Sequence, residues 1–512
     1  MRHSLMIAAA VLGLSHAAVR AESGQAACES LRSFHKSSSR VLAADYAAEG
    51  PLQLPPIGPV GPRRIVLPAH CFVRISTPTS SDSAVTSEIW LPDPGTWNGK
   101  LLGTGNGGYS SALSYDQMAE GLKRGFAVGG SDTGHQGDAL SFGTGHPERI
   151  RDWAYRSTHV LAEDAKAVVT AFYGKPPVHA YFAGCSTGGQ QALSEAQRYP
   201  KDFDGIVAGD PGNDRILLNA DFVESWRVTH PTNGAAFPAS KLALLSNAAT
   251  AACGKQDGVT DGVMDGVISD PMNCSFDPGS LACATTSDTK TCLTDAEVRM
   301  ARRLYDAPVQ SAEGKPMYPG WPRGSENGWG AYLIFPAQPV RSEFWTSWIF
   351  DSPSFDFGSF DAPASVAAAR KKFPFLEAVN PDLTAFQHSN GKLLVYHGWA
   401  DPVVPAQDTI GYYEQVKKIL GPSTENSVRL FMVPGMGHCG GGPGASSFDA
   451  LGALDRWVTG TAIPDSILAS HDVGGKATFQ RLLCPFPQIA RWDGHDDPAK
   501  ASSFHCAKDH SR

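Results

Sequence analysis

Hydrophobic positions along the chain follow two alternating rhythms. Short apolar runs, "SEIWLP" (87–92), "KLLGTG" (100–105) and "GFAVGGSD" (125–132), have the length and content of buried strands. "HVLAEDAKAVVTAFYG" (159–174) instead places Val160, Leu161, Ala165, Val168, Val169 and Phe172 at helical spacing. The strand "HAYFA" (179–183), a glycine-rich turn, the helix pattern "QQALSEAQRYP" (190–200) and the strand "DGIVAGDP" (204–211) continue the alternation. Such alternation predicts a mostly parallel sheet with helices on both faces. It breaks near residue 215 and resumes near 391 with "KLLVYHGWADPVVP", the helix "TIGYYEQVKKIL", the strand "SVRLFMVPGMGH" and the helix "FDALGALDRWVTG". One core is therefore expected in two parts, 22–214 and 391–512, interrupted by a lid insertion over 215–390.

The chemistry lies at the ends of those strands. In "GCSTGG" (184–189) Ser186 occupies a turn between strand and helix, the setting of a nucleophile elbow. Asp401 follows the strand "LLVYHGWA" and His438 follows "RLFMVPGMG", so the candidates run Ser, Asp, His, the chain order of α/β hydrolases. A serine hydroxyl is a poor nucleophile at neutral pH. A histidine must take its proton during attack, and a buried carboxylate must hold that imidazole in the right tautomer. Ser186, His438 and Asp401 fill these roles one each, and the predicted fold class is an α/β hydrolase core with a large inserted lid domain. The oxyanion of acyl transfer needs two backbone donors: the N–H of Thr187, at the start of the next helix, and one from "GNGGY", Gly108 with Gly107 as the neighbouring alternative. "GTGNGG" lacks the Lys-Ser/Thr ending of a phosphate cradle.

With 512 residues, 42% of them hydrophobic, the chain has ample core for such an enzyme. A net charge of −8 and the lack of a long basic run argue against nucleic-acid and anionic-membrane partners. Residues 1–21 read as a signal peptide: Arg2 and His3, an apolar stretch from Leu5 to Leu14, then small residues at Val19 and Ala21. Neither this stretch nor any later one is apolar for long enough to span a bilayer. A secreted or periplasmic setting turns the ten cysteines, none in a CxxC pair, into a disulfide framework rather than a zinc site. Proximity pairs Cys28 with Cys71, Cys253 with Cys274, Cys283 with Cys292 and Cys484 with Cys506. Cys185 and Cys439 remain, directly before Ser186 and directly after His438, either bonded or as two buried thiols. A bond closing so long a loop is worth about 5 kcal/mol in the chain-entropy model, and it would keep serine and histidine within reach of one another.

"CS" at the nucleophile, the Asp of "GWADPVVP" and "HC" in "GMGHCGGG" make the chain resemble the tannase and feruloyl esterase family, which includes the mono(2-hydroxyethyl) terephthalate hydrolases. "WNGKLLGTGNGGYSS", "RGFAVGGSDTGHQ", "GCSTGGQQALSEAQRYPKDFDGIVAGDP" and "GWPRGSENGW" extend the resemblance over most of residues 28 to 490. It implies a secreted carboxylic ester hydrolase with an α/β hydrolase core, a lid, a structural calcium ion and a disulfide joining the cysteines beside serine and histidine. The implied substrates are small aromatic esters, hydroxycinnamoyl (feruloyl) or galloyl, of the kind plant cell walls and polyphenols supply. "DGVTDGVMDGVISD" (257–270) offers the calcium loop, with glycine-relieved turns presenting carboxylates and carbonyls but no closing Glu of an EF-hand. Aligned from "ISDP", the ligands are Asp261, Asp265 and the carbonyls of Val263 and Val267, with Asp257 reaching in; aligned from Cys253, they shift toward Asp257, Val259, Asp261 and Val263.

The insertion is dense in aromatics, and four of the eleven tryptophans fall between Trp321 and Trp348. Most are expected in the lid core; those that face a cleft would suit flat aromatic acyl groups. Arg323 and Arg341 are candidates for pairing a substrate carboxylate, as a terephthalate monoester requires. The alternatives to a feruloyl or galloyl esterase are thus a terephthalate monoester hydrolase and a catalytically silent, aromatic-binding secreted protein on the same fold. The intact Ser186, Asp401 and His438 favour an enzyme.

Overall fold

The structure, a computed structural model, describes residues 24–36, 38–54, 62–254, 261–284 and 289–508. The expected leader over 1–21, Asp257 and Val259 lie outside the described residues. The chain divides into two compact units. The first runs to Ala183 and takes in Lys201–Asp204; the second holds Gly184–Pro200 and the chain from Gly205 onward.

Strands of the first unit are β1 (His35–Lys36), β2 (Ser39–Ala47), β3 (Gly50–Leu54), β4 (Arg63–Leu67), β5 (His70–Pro78), β6 (Ala84–Pro92), β7 (Lys100–Thr104), β8 (Ala127–Ser131) and β9 (His179–Cys185), whose last two residues pass into the second unit. β3 and β4 form a separate hairpin, and the others lie in the order β1-β2-β5-β6-β8-β7-β9. Pairing is antiparallel from β1 to β8 and parallel through β8, β7 and β9, where Leu102 faces Val128 on one side and Tyr181 on the other. Every residue of β8 is buried, as in a strand covered on both faces. A side-chain carbon at Gly121 would press on Val128, whereas one at Gly129 would meet Leu161. Gly121 belongs to the helix Tyr115–Lys123 and Leu161 to the helix Ser157–Tyr173. Successive strand residues point to opposite faces, so helices cover both. The helix Ser157–Tyr173 buries the six apolar residues that its spacing singled out and stops at Gly174 in the left-handed conformation.

In the second unit β10 (Gly205–Gly209), β11 (Lys392–Gly398) and β12 (Val428–Val433) pair in parallel, with Val207 opposite Leu394 and Leu394 opposite Arg429. The helices Thr187–Arg198 and Ala450–Val458 pack on β10, and the helix Ala406–Leu420 connects β11 to β12. Among the described residues between β10 and β11 there is no strand beyond isolated bridges; the helices Arg215–Thr229, Leu242–Cys253, Asp295–Tyr305 and Ala362–Lys372 alternate with long irregular stretches that carry only short helical turns. Phe237, Leu245, Trp321 and Trp329 centre one apolar cluster of this stretch. Phe344, Trp345 and Trp348 are likewise buried, whereas Phe335 is exposed. Two small antiparallel sheets close the chain, β13 (Ser447–Phe448) with β14 (Ile467–Val473) and β15 (Lys476–Leu483), and β16 (Gln488–Trp492) with β17 (Phe504–Lys508). Most of their residues are exposed or half-buried, so no apolar run marks them in the sequence.

The disulfides are Cys28–Cys71 in the first unit and Cys185–Cys439, Cys253–Cys274, Cys283–Cys292 and Cys484–Cys506 in the second, and no cysteine is free. Among the described residues no helix is long and apolar enough to cross a membrane.

Candidate active site

The chain leaves β9 through Gly184 and Cys185 and turns at Ser186, whose φ of 63° and ψ of −117° lie where side-chain-bearing residues are rare. The turn is held from both sides: Ser186 N donates to Gly209 O at 2.9 Å, and Ser186 O accepts from Gly212 N at 3.2 Å and Gln190 N at 3.0 Å. Glycines make the room. A Cβ on Gly184 would lie 2.5 Å from Gly188 O, and one on Gly189 would lie 2.4 Å from Gly209 O. Both obstacles are backbone, which cannot swing aside. Thr187 opens the following helix, so its N–H is one of the first-turn donors left without a helical partner. Its hydroxyl accepts from Arg215 Nη2 at 2.9 Å, and Arg215 Nε donates to Gln190 Oε1 at 2.7 Å. Sequence reasoning missed this buried arginine, since a single Arg in "GNDRI" carries no pattern.

Gly108 lies in the first unit, in the loop after β7. Its φ of 57° calls for glycine, and its carbonyl accepts from Trp153 Nε1 at 3.2 Å. Asn106 pins the same loop by donating to the carbonyls of Ala112 and Ser131, each at 2.9 Å.

Asp401 sits just beyond β11 and His438 just beyond β12. The Asp401 side chain is fully buried, with Oδ1 accepting from Val403 N at 2.7 Å and Val404 N at 3.0 Å, and Oδ2 accepting from His438 Nδ1 at 2.6 Å. Burial works against this carboxylate, but the charges and hydrogen bonds of His438 and His397 outweigh it and hold the group well below the usual range. For His438 burial likewise opposes the imidazolium, and the Asp401 charge and hydrogen bond overcome it, so its pKa stands above the ordinary histidine value. The disulfide from Cys185 to Cys439 brings their Cα atoms to 5.9 Å. The Cα atoms of Ser186 and His438 are therefore at most about 13.5 Å apart.

Two further groups crowd this centre, and the sequence reading passed over both. His397, in β11, places Nε2 at 3.3 Å from Asp401 Oδ2 and 3.0 Å from Val404 O, while its Nδ1 lies 2.8 Å from Thr409 Oγ1. Asp210, just beyond β10, is fully buried, with a carboxylate oxygen within 4.8 Å of both Asp401 and His438. A carboxylate at a strand end marks Asp401 in the sequence, and "AGDP" carries the same signal.

A cavity of about 660 Å³ opens beside His438; Ser246, Asn327, Trp399, Pro402 and Arg323 are among the residues lining it, and Ser186 is not. Among the described residues lining it, Trp399 is the one aromatic side chain besides His438. Arg323 donates from Nε to Phe276 O at 2.9 Å and lays its guanidinium 4.5 Å over the Tyr305 ring. Arg341 is not part of this lining. In the acidic loop Asp261 Oδ1 accepts from Val263 N at 2.9 Å and Asp265 Oδ1 from Val267 N at 3.1 Å, two equivalent turns made by the repeated Asp-Gly-Val. Arg481 joins them, Nε to Asp261 Oδ2 at 2.8 Å and Nη2 to Asp265 Oδ2 at 2.6 Å. One guanidinium leaves two carboxylates a charge short of balance: burial, then the Asp265 charge, raises the Asp261 carboxyl above its usual range despite Arg481. The loop's carboxylates and carbonyls are oxygen donors of the kind a hard cation such as calcium takes, and here Arg481 occupies the Oδ2 atoms of both aspartates.

The tannase and feruloyl esterase family model matches residues 71–507. An uncharacterised esterase of Xanthomonas campestris is 31% identical over 94% of this chain and 92% of its own length. A probable feruloyl esterase of Arthroderma benhamiae is 33% identical over 89% of this chain and 88% of its own. Among solved structures, feruloyl esterase B from Aspergillus oryzae superposes with a TM-score of 0.87 at 27% identity, covering 94% of this chain and all of that one. The tannin acyl hydrolase of Aspergillus niger, at 20% identity and a TM-score of 0.77 over 95% of this chain and 94% of its own, shares the fold. With an elbow serine in the second unit, a buried Asp–His pair after β11 and β12, and a family match across most of its length, the chain belongs to the tannase and feruloyl esterase family of α/β hydrolases and is a carboxylic ester hydrolase.

Proposed function

We propose that Ser186, His438 and Asp401 form a nucleophilic triad that hydrolyses esters of aromatic acids, hydroxycinnamoyl (feruloyl) or galloyl, in a secreted or periplasmic protein. One observation carries the reading: Asp401 holds Nδ1 of His438 at 2.6 Å while a disulfide joins the residue before Ser186 to the residue after His438. With Nδ1 protonated and engaged, Nε2 is the free base. It takes the Ser186 proton as Oγ adds to the ester carbonyl carbon. The Thr187 N–H, strengthened by the helix that it opens, meets the oxyanion. Collapse breaks the bond to the alcohol oxygen, which takes the proton from His438 and leaves acyl-Ser186. A water that His438 deprotonates then releases the acid and restores Ser186. Asp401 stays ionised and stabilises the imidazolium in both halves.

The aromatic acyl group is supported by relatives named feruloyl esterase, and export by five disulfides. Calcium belongs to the same reading, held by Asp261, Asp265 and the carbonyls of Val263 and Val267, with Asp257 as the third carboxylate. It would brace the acidic loop and take no part in ester cleavage. A second reading, a monoester of terephthalate, is favoured by Arg323 in the wall of the cavity beside His438.

Turnover of methyl ferulate, methyl gallate and p-nitrophenyl butyrate by the wild type and Ser186→Ala tests the proposal. Ser186→Ala is expected to lose about a thousandfold or more, and the wild type to prefer the aromatic acyl esters by about tenfold, the worth of burying one extra ring face. Near-normal turnover by the variant would sink the triad. A preference for butyrate would sink the aromatic assignment and spare the esterase.

A further inference from the structure

Asp210 stands at the C-terminal end of β10 as Asp401 stands at that of β11, so two neighbouring parallel strands each deliver a buried carboxylate to the same histidine. Its backbone φ is 37° and its N–H donates to Tyr396 O at 2.9 Å, which fixes the side chain against the next strand. Oδ1 accepts from Gly398 N at 2.8 Å and lies 3.8 Å from His397 Nε2. Oδ2 lies 3.4 Å from Cys185 Sγ, a disulfide sulfur with no proton to give. Asp401 is the opposite case: two amides fill its Oδ1, and His438 and His397 share its Oδ2. Asp210 thus carries the less neutralised charge of the two, and a carboxylate oxygen of it lies within 4.8 Å of a ring nitrogen of His438.

We propose that Asp210 is a second carboxylate serving His438, a positioning residue that shares with Asp401 the stabilisation of the imidazolium formed when Ser186 is deprotonated. The inference rests on the triad reading above. Its physical basis is that opposite charges a few ångströms apart in a dry site favour the protonated imidazole, and that an ionised group need not touch the ring to do so. The titratable groups facing Asp210 are His397 and Tyr396 on β11, Asp401 beyond it and His438 beyond β12, with Asp408 across His397. Burial, opposed by the His397 charge, pushes the Asp210 carboxyl up to about 6, so it ionises in the range where a histidine base also titrates.

Asp210→Asn removes the charge, keeps an oxygen for Gly398 N, and suits a left-handed backbone that Asn tolerates. The test is the pH profile of kcat/KM on methyl ferulate for the wild type, Asp210→Asn and Ser186→Ala, with the Cys185–Cys439 bond checked by thiol titration. Loss of the Asp210 charge lowers the pKa of His438, so the acid limb of Asp210→Asn is expected about half to one pH unit below that of the wild type, with KM on the plateau unchanged. A limb in the same place, with Ser186→Ala inactive, overturns the role of Asp210 and spares the triad; an active Ser186→Ala overturns both. Should Asp210→Asn fail to fold, nitrogen-15 histidine spectra of the wild type decide: His438 is expected to show a second inflection from ionisation of Asp210, and a single inflection overturns the proposal.

Discussion

His438 serves as a base only while neutral, and its neighbours decide the pH at which that holds. Burial opposes its protonation and the Asp401 carboxylate at 2.6 Å favours it more strongly, so the acid limb of the reaction belongs above the pH at which an ordinary histidine titrates. A profile of kcat/KM whose acid limb lies below about 6.5 would contradict that balance. Arg323 raises a different question, because its guanidinium keeps donors beyond the one given to Phe276 O while facing the same cavity as His438. A charge-assisted hydrogen bond to a substrate carboxylate is worth about 1.5–3 kcal/mol. Arg323→Gln is therefore expected to raise KM for a terephthalate monoester about tenfold more than KM for methyl ferulate; equal changes would remove the monoester reading. Among single residues, Ser186 was legible because "GCSTGG" carries its own turn chemistry, whereas Arg215 acts through Thr187, 28 residues back in the chain, and His397 meets Asp401, Val404 and Thr409 at spacings that form no motif.

At the scale of elements, the elbow is a strand end and a helix start pressed against the end of β10. Gly184 and Gly189 are its packing requirement, and the Cys185–Cys439 bond is its tie to the histidine loop across 254 residues of chain. Cys439→Ser is expected to lose roughly 2–5 kcal/mol of stability and, at a temperature where the variant is still folded, to lose turnover as well, because Ser186 and His438 then hold their register by packing alone. Calorimetry and kcat measured side by side check this; unchanged kcat in a destabilised variant would make the disulfide a staple only. The acidic loop is a second such device. Adding a chelator is expected to lower the melting temperature, restored by calcium, while kcat at 25 °C stays within about twofold, because the loop holds no group of the triad. A melting profile indifferent to chelator would count against the ion.

The whole molecule carries an unusual load of buried acid. Burial raises Asp210 to about 6 and Asp408 to about 7, and lifts Asp132, Glu224 and Glu326 above the usual range. Each keeps a proton in the folded protein that an unfolded carboxyl has released by about pH 4 to 5. His397 and His438, where burial is outweighed by the charges of Asp210 and Asp401, also hold protons longer than in the unfolded chain. Both sets make the folded state the better proton binder, so stability falls as pH rises through the folded values. His70 and His135, lowered by burial, act in the opposite direction and are outnumbered. The melting temperature is expected to be highest near pH 5 to 6 and lower at pH 8, by about several degrees; scanning calorimetry showing a rise over that interval would overturn the account.

Local pattern alone determined the alternation of strands and helices, the helix Ser157–Tyr173 with its apolar stripe and the elbow at Ser186, because each depends on residues close together in the chain, and pairing neighbouring cysteines along the chain gave four of the disulfides. Resemblance to a family supplied the fifth disulfide before geometry did. Only the tertiary structure decided that β10 and β11 lie side by side and so bring Asp210 beside Asp401 and His438, that most of the insertion's aromatics fill its core, and that Arg481 bridges Asp261 and Asp265 from more than two hundred residues away. The physical reason is one of range. Periodicity and turn chemistry report the nearest few residues, while a buried charge is set by whatever the fold packs against it, and those partners come from strands and loops that no local spacing connects.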